Sequence, residues 1–512
     1  MVKKEISSGD DGALDHHGEA LPQLSKSASV VDIDRIEKKR RIAAVQGKHP
    51  GIIWFYQFIR NLCRVAIRQQ FRTIEITGQE NISDDAGILT VGWHTNGLID
   101  PAIIFVTQPK MLVFGGRHDL ITRPVIGPIA SMAGTQPVIR QAERARGGAS
   151  AEAATRINSK TMLTLAECIA HGHGTALFPE GTSHEESKMK RLRTGPMRSV
   201  IAANSIAREK GLPTPHLLPV GLHFRISWHF RTDAWVEYGK PIPLSDSLHP
   251  ENDRARLLNG EWVEAPAEVV NNLRDEVHNH LTPMTPDADS WDQHRAWHLL
   301  GNATSLVAGK KLQTWREEVL AAREVRTKIR NGDKLLQEIE PKAEEIAKKL
   351  HNNGLDSRVL GENGLNKPSL MNRIAIFPAI FLALIAAPLT LAGSGLMILV
   401  GKVMGDRTDE GLDARTTYHY LASMLGPLIV WPIPITIFIL IAIFGAWDIT
   451  ATQIVIATVS LPFLFHLSNK IAIMAWDMYV ISRDANRLKN ISRSEEGQYI
   501  AEEFRKILAV LK

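Results

Sequence analysis

The sequence predicts an α/β domain, in which helices flank a partly parallel sheet, followed by a charged helical region and then by C-terminal transmembrane or re-entrant helices. Short apolar runs that alternate with longer amphipathic segments predict the α/β domain, and apolar residues concentrated toward the C-terminus predict the membrane part. The runs typical of strands are Gly87–Trp93, Met111–Gly115, Gln136–Ile139, Thr175–Phe178, Leu217–Phe224 and Asp233–Tyr238, and the segments typical of helices are Thr155–Ala170 and Pro196–Lys210.

Composition narrows the class of protein. The 512 residues are enough for two or more units with their own cores. A net charge of +5 is too small to indicate a nucleic-acid partner, and it fits anionic lipid, acidic substrates or simple solubility. Cys63 and Cys168 lie far apart without further ligands at metal-binding spacing, so they give neither a disulfide framework nor a zinc site and indicate a reducing compartment.

Two segments precede the α/β domain. Residues 1–45 are charged and contain no long apolar run, which predicts a disordered arm rather than a signal peptide. Residues 46–77 are predicted to form a basic amphipathic helix, because Arg60, Arg64, Arg68 and Arg72 recur every four residues among aromatic and aliphatic side chains. Such a helix is typical of a membrane interface, and the alternative is an ordinary packing helix at the domain edge.

The C-terminal half changes character twice. In residues 251–370, Thr314–Arg330 and Lys334–Leu350 are rich in Glu, Lys, Arg, Ala and Leu, which predicts helices with solvated faces. Residues 371–482 are predicted to be a membrane domain, because three runs of 28, 32 and 21 residues contain no Asp, Glu, Lys or Arg. A run of about 18 apolar residues is long enough to span a bilayer.

The membrane topology follows from helix breakers and from positive charge. Pro388 and Gly393-Ser394-Gly395 interrupt the first run, which predicts two halves too short to cross and therefore a re-entrant segment. The basic residues that flank the other two runs on one side are Lys402, Arg407, Arg415, Arg483, Arg487 and Lys489. This asymmetry predicts a crossing hairpin, with the α/β domain and the tail of residues 483–512 both on the cytoplasmic side.

Two motifs carry candidate chemistry. His94 follows a predicted strand and Asp100 lies six residues later, so the carboxylate could orient the imidazole as a general base. By spacing alone a surface pair without a catalytic role is more common. The second motif, Phe178–Ser183, ends a strand-like run, where α/β folds place ligand sites, and basic residues follow it. Its alternative is a solvated turn.

The two motifs are parts of four ordered blocks, within the predicted domain of residues 78–250, that resemble the phospholipid/glycerol acyltransferase (PlsC-like) family. The blocks are His94 with Asp100, Arg117-His118-Asp119-Leu120 with Arg140, Phe178–Ser183 with Arg193, and Leu218-Pro219-Val220-Gly221. Asp100 lies one residue later than the usual family spacing. The longer spacing, and the proline that follows the aspartate, are similar to fungal-type glycerol-3-phosphate acyltransferases.

The resemblance implies fatty-acyl transfer from a thioester to a hydroxyl, with no metal, cofactor or covalent enzyme intermediate. It implies that His94 is the base, that Asp100 holds it, and that the acceptor phosphate is held by Arg117, Arg140, Glu180, Gly181, Thr182 and Arg193. The implied partners are acyl-CoA or acyl carrier protein, glycerol 3-phosphate or lysophosphatidate, and membrane lipids. Transfer to lysophosphatidate or another lysophospholipid, transfer to a non-phosphorylated alcohol, and an inactive membrane scaffold are the alternatives.

Overall fold

The computed structural model of the protein describes residues 47–124, 126–407, 412–445 and 450–512. Before residue 47 it describes residues 30–39 and the separate positions Lys4–Glu5, Leu14, Gly18, Leu21, Leu24 and Ala28.

A seven-stranded sheet forms the centre of the N-terminal half. Its strands are β1 (Phe71–Thr77), β2 (Ile88–Gly92), β3 (Leu112–Arg117), β4 (Gln136–Val138), β5 (Gly174–Leu177), β6 (His216–Phe224) and β7 (Thr232–Tyr238). The spatial order is β1-β7-β6-β2-β5-β3-β4, and every neighbouring pair is parallel except β6 with β7. The prediction of a partly parallel sheet is therefore confirmed, and the six predicted strands form within a few residues of their expected bounds.

Helices cover the sheet and build the rest of the chain. They are α1 (Ile33–Lys39), α2 (Ile53–Gln70), α3 (Ile99–Thr107), α4 (His118–Thr122), α5 (Ile126–Met132), α6 (Gln141–Ala145), α7 (Ala151–Ala170), α8 (Gly195–Glu209), α9 (Glu251–Leu258), α10 (Ala267–Leu281), α11 (Trp291–Val307), α12 (Trp315–Arg330), α13 (Lys334–Asn352), α14 (Leu370–Ile374), α15 (Ile376–Thr390), α16 (Leu396–Asp406), α17 (Leu412–Val430), α18 (Pro432–Phe444), α19 (Ala451–Ile491) and α20 (Glu495–Leu511).

The central strand β2 is covered on both faces of the sheet. Its residues are all buried, as in the continuous apolar runs of parallel strands. Because successive side chains point to opposite faces, Ile88 packs in one apolar cluster, with α2 and α3, and Leu89 packs in the other, with α7 and α8. Helices α9 and α10 join the second cluster, so this core extends past residue 250, where the sequence predicted the domain to end.

The predicted amphipathic helix is shorter than expected. Helix α2 ends at Gln70, and the next seven residues form strand β1, which pairs with β7. The prediction of helix to residue 77 is therefore wrong for this segment, and Arg72 lies in the strand and binds Asp233. The residues of α2 that pack on the domain are Tyr56, Ile59, Cys63, Ala66 and Ile67, whereas Ile53, Trp54, Phe58 and Val65 are exposed. Contact of this exposed face with a membrane stays a prediction.

The described part of the N-terminal segment packs on the α/β domain. Its buried residues are Leu21, Leu24, Ala28, Val31 and Ile36, which form a cluster with Ile139, Ala142, Ala154 and Ile157. The prediction of a disordered arm is wrong for these positions. The rest of residues 1–45 lies outside the described residues.

A second core lies in the charged helical region. Helices α11, α12, α13 and α20 pack together through an apolar cluster that includes Leu300, Ile346 and Phe504. The segment predicted to be a tail, residues 483–512, therefore completes this bundle: α19 continues to Ile491 and α20 packs against α13.

Among the described residues, three helical runs are long and apolar enough to cross a membrane: Leu370–Asp406, Arg415–Phe444 and Ala451–Ile491. The predicted interruption of the first run is not a break, because the helix contains Pro388 and continues through a π-helical turn, Leu391–Gly395, into α16. Polar contacts join this turn to α19, including Ser394 Oγ to Asn469 Oδ1 at 2.9 Å. The premise of two short halves is therefore wrong, and the re-entrant path stays a prediction.

The first half of the second run packs on the α/β domain. Tyr420, Met424 and Leu425 of α17 are buried in the same cluster as α2 and α3. Helix α17 consequently lies beside the loop that follows β2, where the predicted catalytic residues begin.

Candidate active site

The carboxyl ends of two neighbouring strands position the predicted base. Strands β2 and β5 are parallel and paired, so the loop after Gly92 and the loop after Leu177 leave the sheet side by side. His94 lies in the first loop and Phe178 in the second, and their rings stack with centroids 4.2 Å apart and planes 19° apart. The Phe178 ring therefore covers one face of the imidazole, and 17 % of the His94 side chain remains exposed.

Asp100 orients the imidazole despite the long spacing. Gly97 adopts a positive φ of 40°, which turns the chain back so that Asp100, in the first turn of α3, faces His94. Asp100 Oδ2 accepts hydrogen bonds from His94 Nδ1 at 2.9 Å and from the backbone N–H groups of Thr95 and Asn96, both at 2.8 Å. Because a carboxylate accepts the bond, Nδ1 carries the hydrogen and Nε2 is left to accept a proton. The structure thus brings together the predicted pair at a spacing of six.

Glu180 contacts the backbone of the loop that follows β2 and contains His94, which is called the catalytic loop below. Its side chain is fully buried; Oε1 accepts from the His94 backbone N–H at 3.0 Å, and Oε2 accepts from the Lys190 backbone N–H at 2.7 Å and contacts His184 Nε2. These contacts hold the backbone of His94 and of Lys190 in place. The role of Glu180 in holding the acceptor stays a prediction.

The remainder of the third block lies at the surface of the site. Gly181 is exposed and has a positive φ of 75°, a conformation that side-chain-bearing residues rarely adopt. Arg193 lies beside it, because its backbone N–H donates to Pro179 O at 2.6 Å and its Cγ is 3.5 Å from the position that a Gly181 Cβ would take. Half-buried Thr182 follows directly. These three predicted residues form one accessible group.

The other two predicted arginines lie at the same edge of the sheet. Arg117 ends β3 and binds Asp119 through two bonds, Nε–Oδ1 at 3.0 Å and Nη2–Oδ2 at 2.9 Å. Arg140 follows β4 and binds Glu143 Oε1 at 2.6 and 2.8 Å. Buried carboxylates therefore hold both guanidinium groups in place. With β5 between β2 and β3, Arg117 lies two strand spacings, about 10 Å, from the end of β2.

Between these ion pairs lies His118, which the sequence placed in the second block without a role. Its side chain is buried. Burial lowers the pKa of His118, with the positive charge of Arg140 acting in the same direction and Glu143 and Asp119 opposing it. His118 is consequently neutral near neutral pH.

Two hydrogen bonds from α17 hold the catalytic loop. The Leu98 backbone N–H donates to Thr417 Oγ1 at 3.0 Å, and Thr416 Oγ1 donates to Asn96 Oδ1. The Asn96 amide in turn donates to Ser227 O at 2.6 Å. Nothing in the sequence predicted the two contacts with α17, which join residues more than 300 positions apart. His184 was not predicted as a site residue, although it lies four residues after Glu180 in the sequence.

The part of the chain that contains this site is similar to known acyltransferases. The family model described as Acyltransferase matches residues 73–223. Glycerol-3-phosphate O-acyltransferase 2 of Saccharomyces cerevisiae is 25 % identical over 135 residues, which are 26 % of this chain and 16 % of the relative. The chain thus matches about a sixth of the length of that curated relative.

Among solved structures, the crystal structure of the 1-acyl-sn-glycerophosphate (LPA) acyltransferase PlsC from Thermotoga maritima is similar to this chain. It shares 17 % identity, with coverage of 44 % of this chain and 79 % of that chain, and the TM-score is 0.29. The matched residues 73–223 include all four blocks, from the His94–Asp100 pair to Gly221. Residues 73–223 therefore form a domain that matches the Acyltransferase family.

Proposed function

We propose that the protein is a membrane-bound O-acyltransferase of phospholipid biosynthesis that transfers a fatty-acyl group from an acyl thioester to a hydroxyl of glycerol 3-phosphate. The observation that supports the chemistry is the bond of 2.9 Å between His94 Nδ1 and Asp100 Oδ2, which leaves Nε2 as the proton acceptor. The donor is acyl-CoA or acyl carrier protein, since both present a thioester.

The reaction requires one proton to move from the acceptor hydroxyl to His94 and then to the leaving thiolate. His94 Nε2 takes the proton from the acceptor hydroxyl as the oxygen attacks the thioester carbonyl carbon. The tetrahedral intermediate then expels the thiolate, which takes the proton from the imidazolium and leaves as the thiol. Asp100 stabilises the imidazolium between these steps, and general-base catalysis of this kind contributes about 10²–10⁴ in rate. Orientation of two substrates beside His94 makes the attack effectively unimolecular.

The acceptor phosphate has three candidate cations at the same edge of the sheet. Arg193 lies beside Gly181 and Thr182, whereas Arg117 and Arg140 lie farther along the edge. Arginine suits phosphate because its planar fork donates two parallel hydrogen bonds. These cations favour a phosphorylated acceptor over a plain alcohol.

Glycerol 3-phosphate is favoured over lysophosphatidate by two observations. The six-residue spacing of His94 and Asp100 resembles fungal-type glycerol-3-phosphate acyltransferases, and the curated relative that matches this chain carries that name. Transfer to lysophosphatidate is the second candidate function, because it is the same reaction on another phosphorylated acceptor and the three arginines would suit that phosphate equally well.

The proposed location of the site is the cytoplasmic face of a membrane. Three long apolar helices provide the membrane association. The cytoplasmic side is inferred from the basic residues that flank the second and third apolar runs. Helix α17 would then hold the catalytic loop close to the interface at which a lipid product enters the bilayer.

Acyl transfer by the purified full-length protein in liposomes tests the proposal, with labelled acyl-CoA or acyl carrier protein as donor. Glycerol 3-phosphate and lysophosphatidate are offered separately and then in competition. We expect glycerol 3-phosphate to be acylated with the higher kcat/KM. Preference for lysophosphatidate would establish the second candidate function, and transfer to neither acceptor by folded protein would contradict both.

A pair of neighbouring arginines tests the phosphate site. Arg193→Gln removes a cation beside Gly181, and loss of a charge-assisted hydrogen bond of about 1.5–3 kcal/mol predicts a KM for glycerol 3-phosphate raised about 10- to 150-fold. Arg191→Gln is the matched control, because Arg191 is exposed and two residues away. An equal effect of both variants would show that general positive charge, rather than the site, attracts the acceptor.

A further inference from the structure

A cavity of about 570 Å³ lies behind the catalytic loop, between β6, helices α11–α13 and the C-terminal part of α19. Trp93 and Thr95 line it, whereas His94, between them, stacks on Phe178 on the other side of the loop. The cavity is therefore separate from the proposed reaction centre, although it shares a wall with it. Its volume falls within the range of about 300–1,000 Å³ that is usual for small-molecule sites.

Several buried polar atoms of the wall have no hydrogen-bond partner among the described residues. They are Trp93 Nε1, His294 Nδ1, Arg295 Nε and His298 Nε2. Burial lowers the pKa of His294, and lowers that of His298 to about 3, so both rings are neutral and each ring has a donor and an acceptor nitrogen. Buried polar groups without partners are rare and costly, which indicates a ligand with its own donors and acceptors.

The wall also contains one buried cation for which the described residues show no acidic partner. Seven arginines line the cavity, and six of them pair with acids of the wall or of the layer behind it; the seventh is Arg326. Arg326 is 5 % exposed and donates to the carbonyl oxygens of Thr285, Pro286 and Pro283. Asp287 interacts electrostatically with Arg326 but forms its ion pair with Arg330. Burial of a cation without a counter-charge is unfavourable, and an anionic ligand relieves that cost.

Planar groups form the remaining wall. Trp291, Trp297 and Trp315 line the cavity, and His298 lies parallel to Trp315 with centroids 5.0 Å apart and planes 7° apart. The Arg225 guanidinium lies 4.5 Å from the Trp315 centroid. Aromatic and guanidinium planes favour a flat heteroaromatic ring, because such rings stack on both.

We propose that this cavity binds a nucleotide-type ligand, that is, a heteroaromatic ring that carries phosphate. One source is the nucleotide end of an acyl-CoA donor, an assignment that rests on the proposed function, and the other is a free adenine nucleotide. A bound ligand contacts Trp93 and Thr95, and the Thr95 backbone N–H donates to Asp100 Oδ2 at 2.8 Å. The ligand is thereby connected to the carboxylate that orients His94.

Calorimetric titration of the full-length protein in lipid nanodiscs with coenzyme A and with ADP tests the site. Arg487→Gln removes a cation from the cavity rim, where Arg487 is partly exposed, and Arg326→Gln removes the buried one. Arg493→Gln and Arg330→Gln are the matched controls, because Arg493 is exposed and Arg330 pairs with Asp287. We expect both probes to bind the wild type and both controls, and the two cavity variants to bind at least about tenfold more weakly.

The outcomes separate this site from the proposed reaction. His94→Ala leaves nucleotide binding intact even if acyl transfer is lost, because His94 does not line the cavity. Inhibition by ADP that competes with acyl-CoA identifies the donor's nucleotide end as the occupant, and inhibition or activation that does not compete identifies a free nucleotide. Absence of binding by both probes, or binding that the controls weaken as much as Arg487→Gln does, overturns the proposal. If Arg326→Gln does not fold, Arg487→Gln alone decides.

Discussion

Replacing Asp100 with asparagine removes the charge that orients His94 while it keeps the size of the side chain. Asp100 Oδ2 faces three donors, so the asparagine oxygen takes that position and the NH₂ group takes the position of Oδ1. Oδ1 is buried without a partner among the described residues, so the NH₂ group is left unsatisfied there. We expect a loss of folding stability of about 1–3 kcal/mol from that group, and a much larger effect on the rate.

The rate effect follows from the ion pair that forms when His94 takes the proton. Two unit charges about 4 Å apart at an effective dielectric constant of about 20 attract by about 4 kcal/mol. Because the imidazolium exists only after proton transfer, this energy is lost from the transition state and intermediate alone, which predicts a kcat lower by about three powers of ten. Single-turnover acyl transfer in liposomes measures it.

The control is Asp85→Asn, which removes an exposed carboxylate from the same domain. We expect its rate to match the wild type. A tenfold or smaller loss in Asp100→Asn, with the protein folded, would refute the reasoning, because Asp100 would then contribute no charge to the reaction.

Three further changes test the supporting contacts. Glu180→Gln turns one acceptor of the buried carboxylate into a donor. We expect kcat to fall about 10- to 100-fold while KM for the acceptor stays within about twofold. A raised KM with an unchanged kcat would instead support the predicted role of Glu180 in binding the acceptor. Thr417→Val leaves the Leu98 N–H without its acceptor and should lower kcat several-fold, whereas Thr417→Ser, which keeps the hydroxyl, should not; equal rates of both would contradict the positioning role. Burial lowers the pKa of His298 from 6.5 to about 3. Between pH 6.5 and about pH 3 the folded protein therefore binds fewer protons than the unfolded chain. The contribution of His298 to the free energy of unfolding is fully present above pH 6.5 and falls by about 1.4 kcal/mol per pH unit below it. His298→Phe should therefore flatten the acid dependence of the thermal-unfolding midpoint between pH 7 and 4, and an unchanged dependence would contradict the assignment.

The sequence predicted the sheet well because buried parallel strands carry a strong signal. Each strand of this kind is a short, continuous apolar run, as in Ile88–Gly92, and helices separate the runs. The carboxyl ends of such strands meet at one edge, which is why the fold brings His94 and Phe178 together. Strand β1 was missed because it follows α2 directly, without a turn residue, and Arg72 continues the four-residue arginine pattern of the helix.

The functions of individual site residues were harder to predict. A carboxylate in a ligand-binding motif looks like a ligand-binding residue, and only the buried contacts of Glu180 show that it holds the backbone of His94 and Lys190. The N-terminal segment is polar on average, yet Leu24 and Ile36 are spaced so that they reach one apolar cluster on the domain. Amino-acid composition averages over the whole segment, so it does not show that these apolar residues meet at one place on the domain.

Contacts between distant segments had no sequence signal at all. Helix α17 looks like an ordinary membrane span, since hydropathy does not distinguish a lipid-facing side chain from one buried against protein. Tyr420 and Met424 are in the second class, and Thr416 and Thr417 reach the catalytic loop. A polar residue at the start of a predicted span is thus a candidate for contact with a neighbouring catalytic domain.

The most direct test of the central claim is single-turnover acyl transfer to glycerol 3-phosphate by wild-type protein and by His94→Ala in the same liposomes, with thermal unfolding as the check on folding. We expect transfer by the wild type and a rate lower by a factor of at least about 10² in the variant, with an unchanged unfolding midpoint. Transfer by folded His94→Ala at a rate within tenfold of the wild type would contradict His94 as the base.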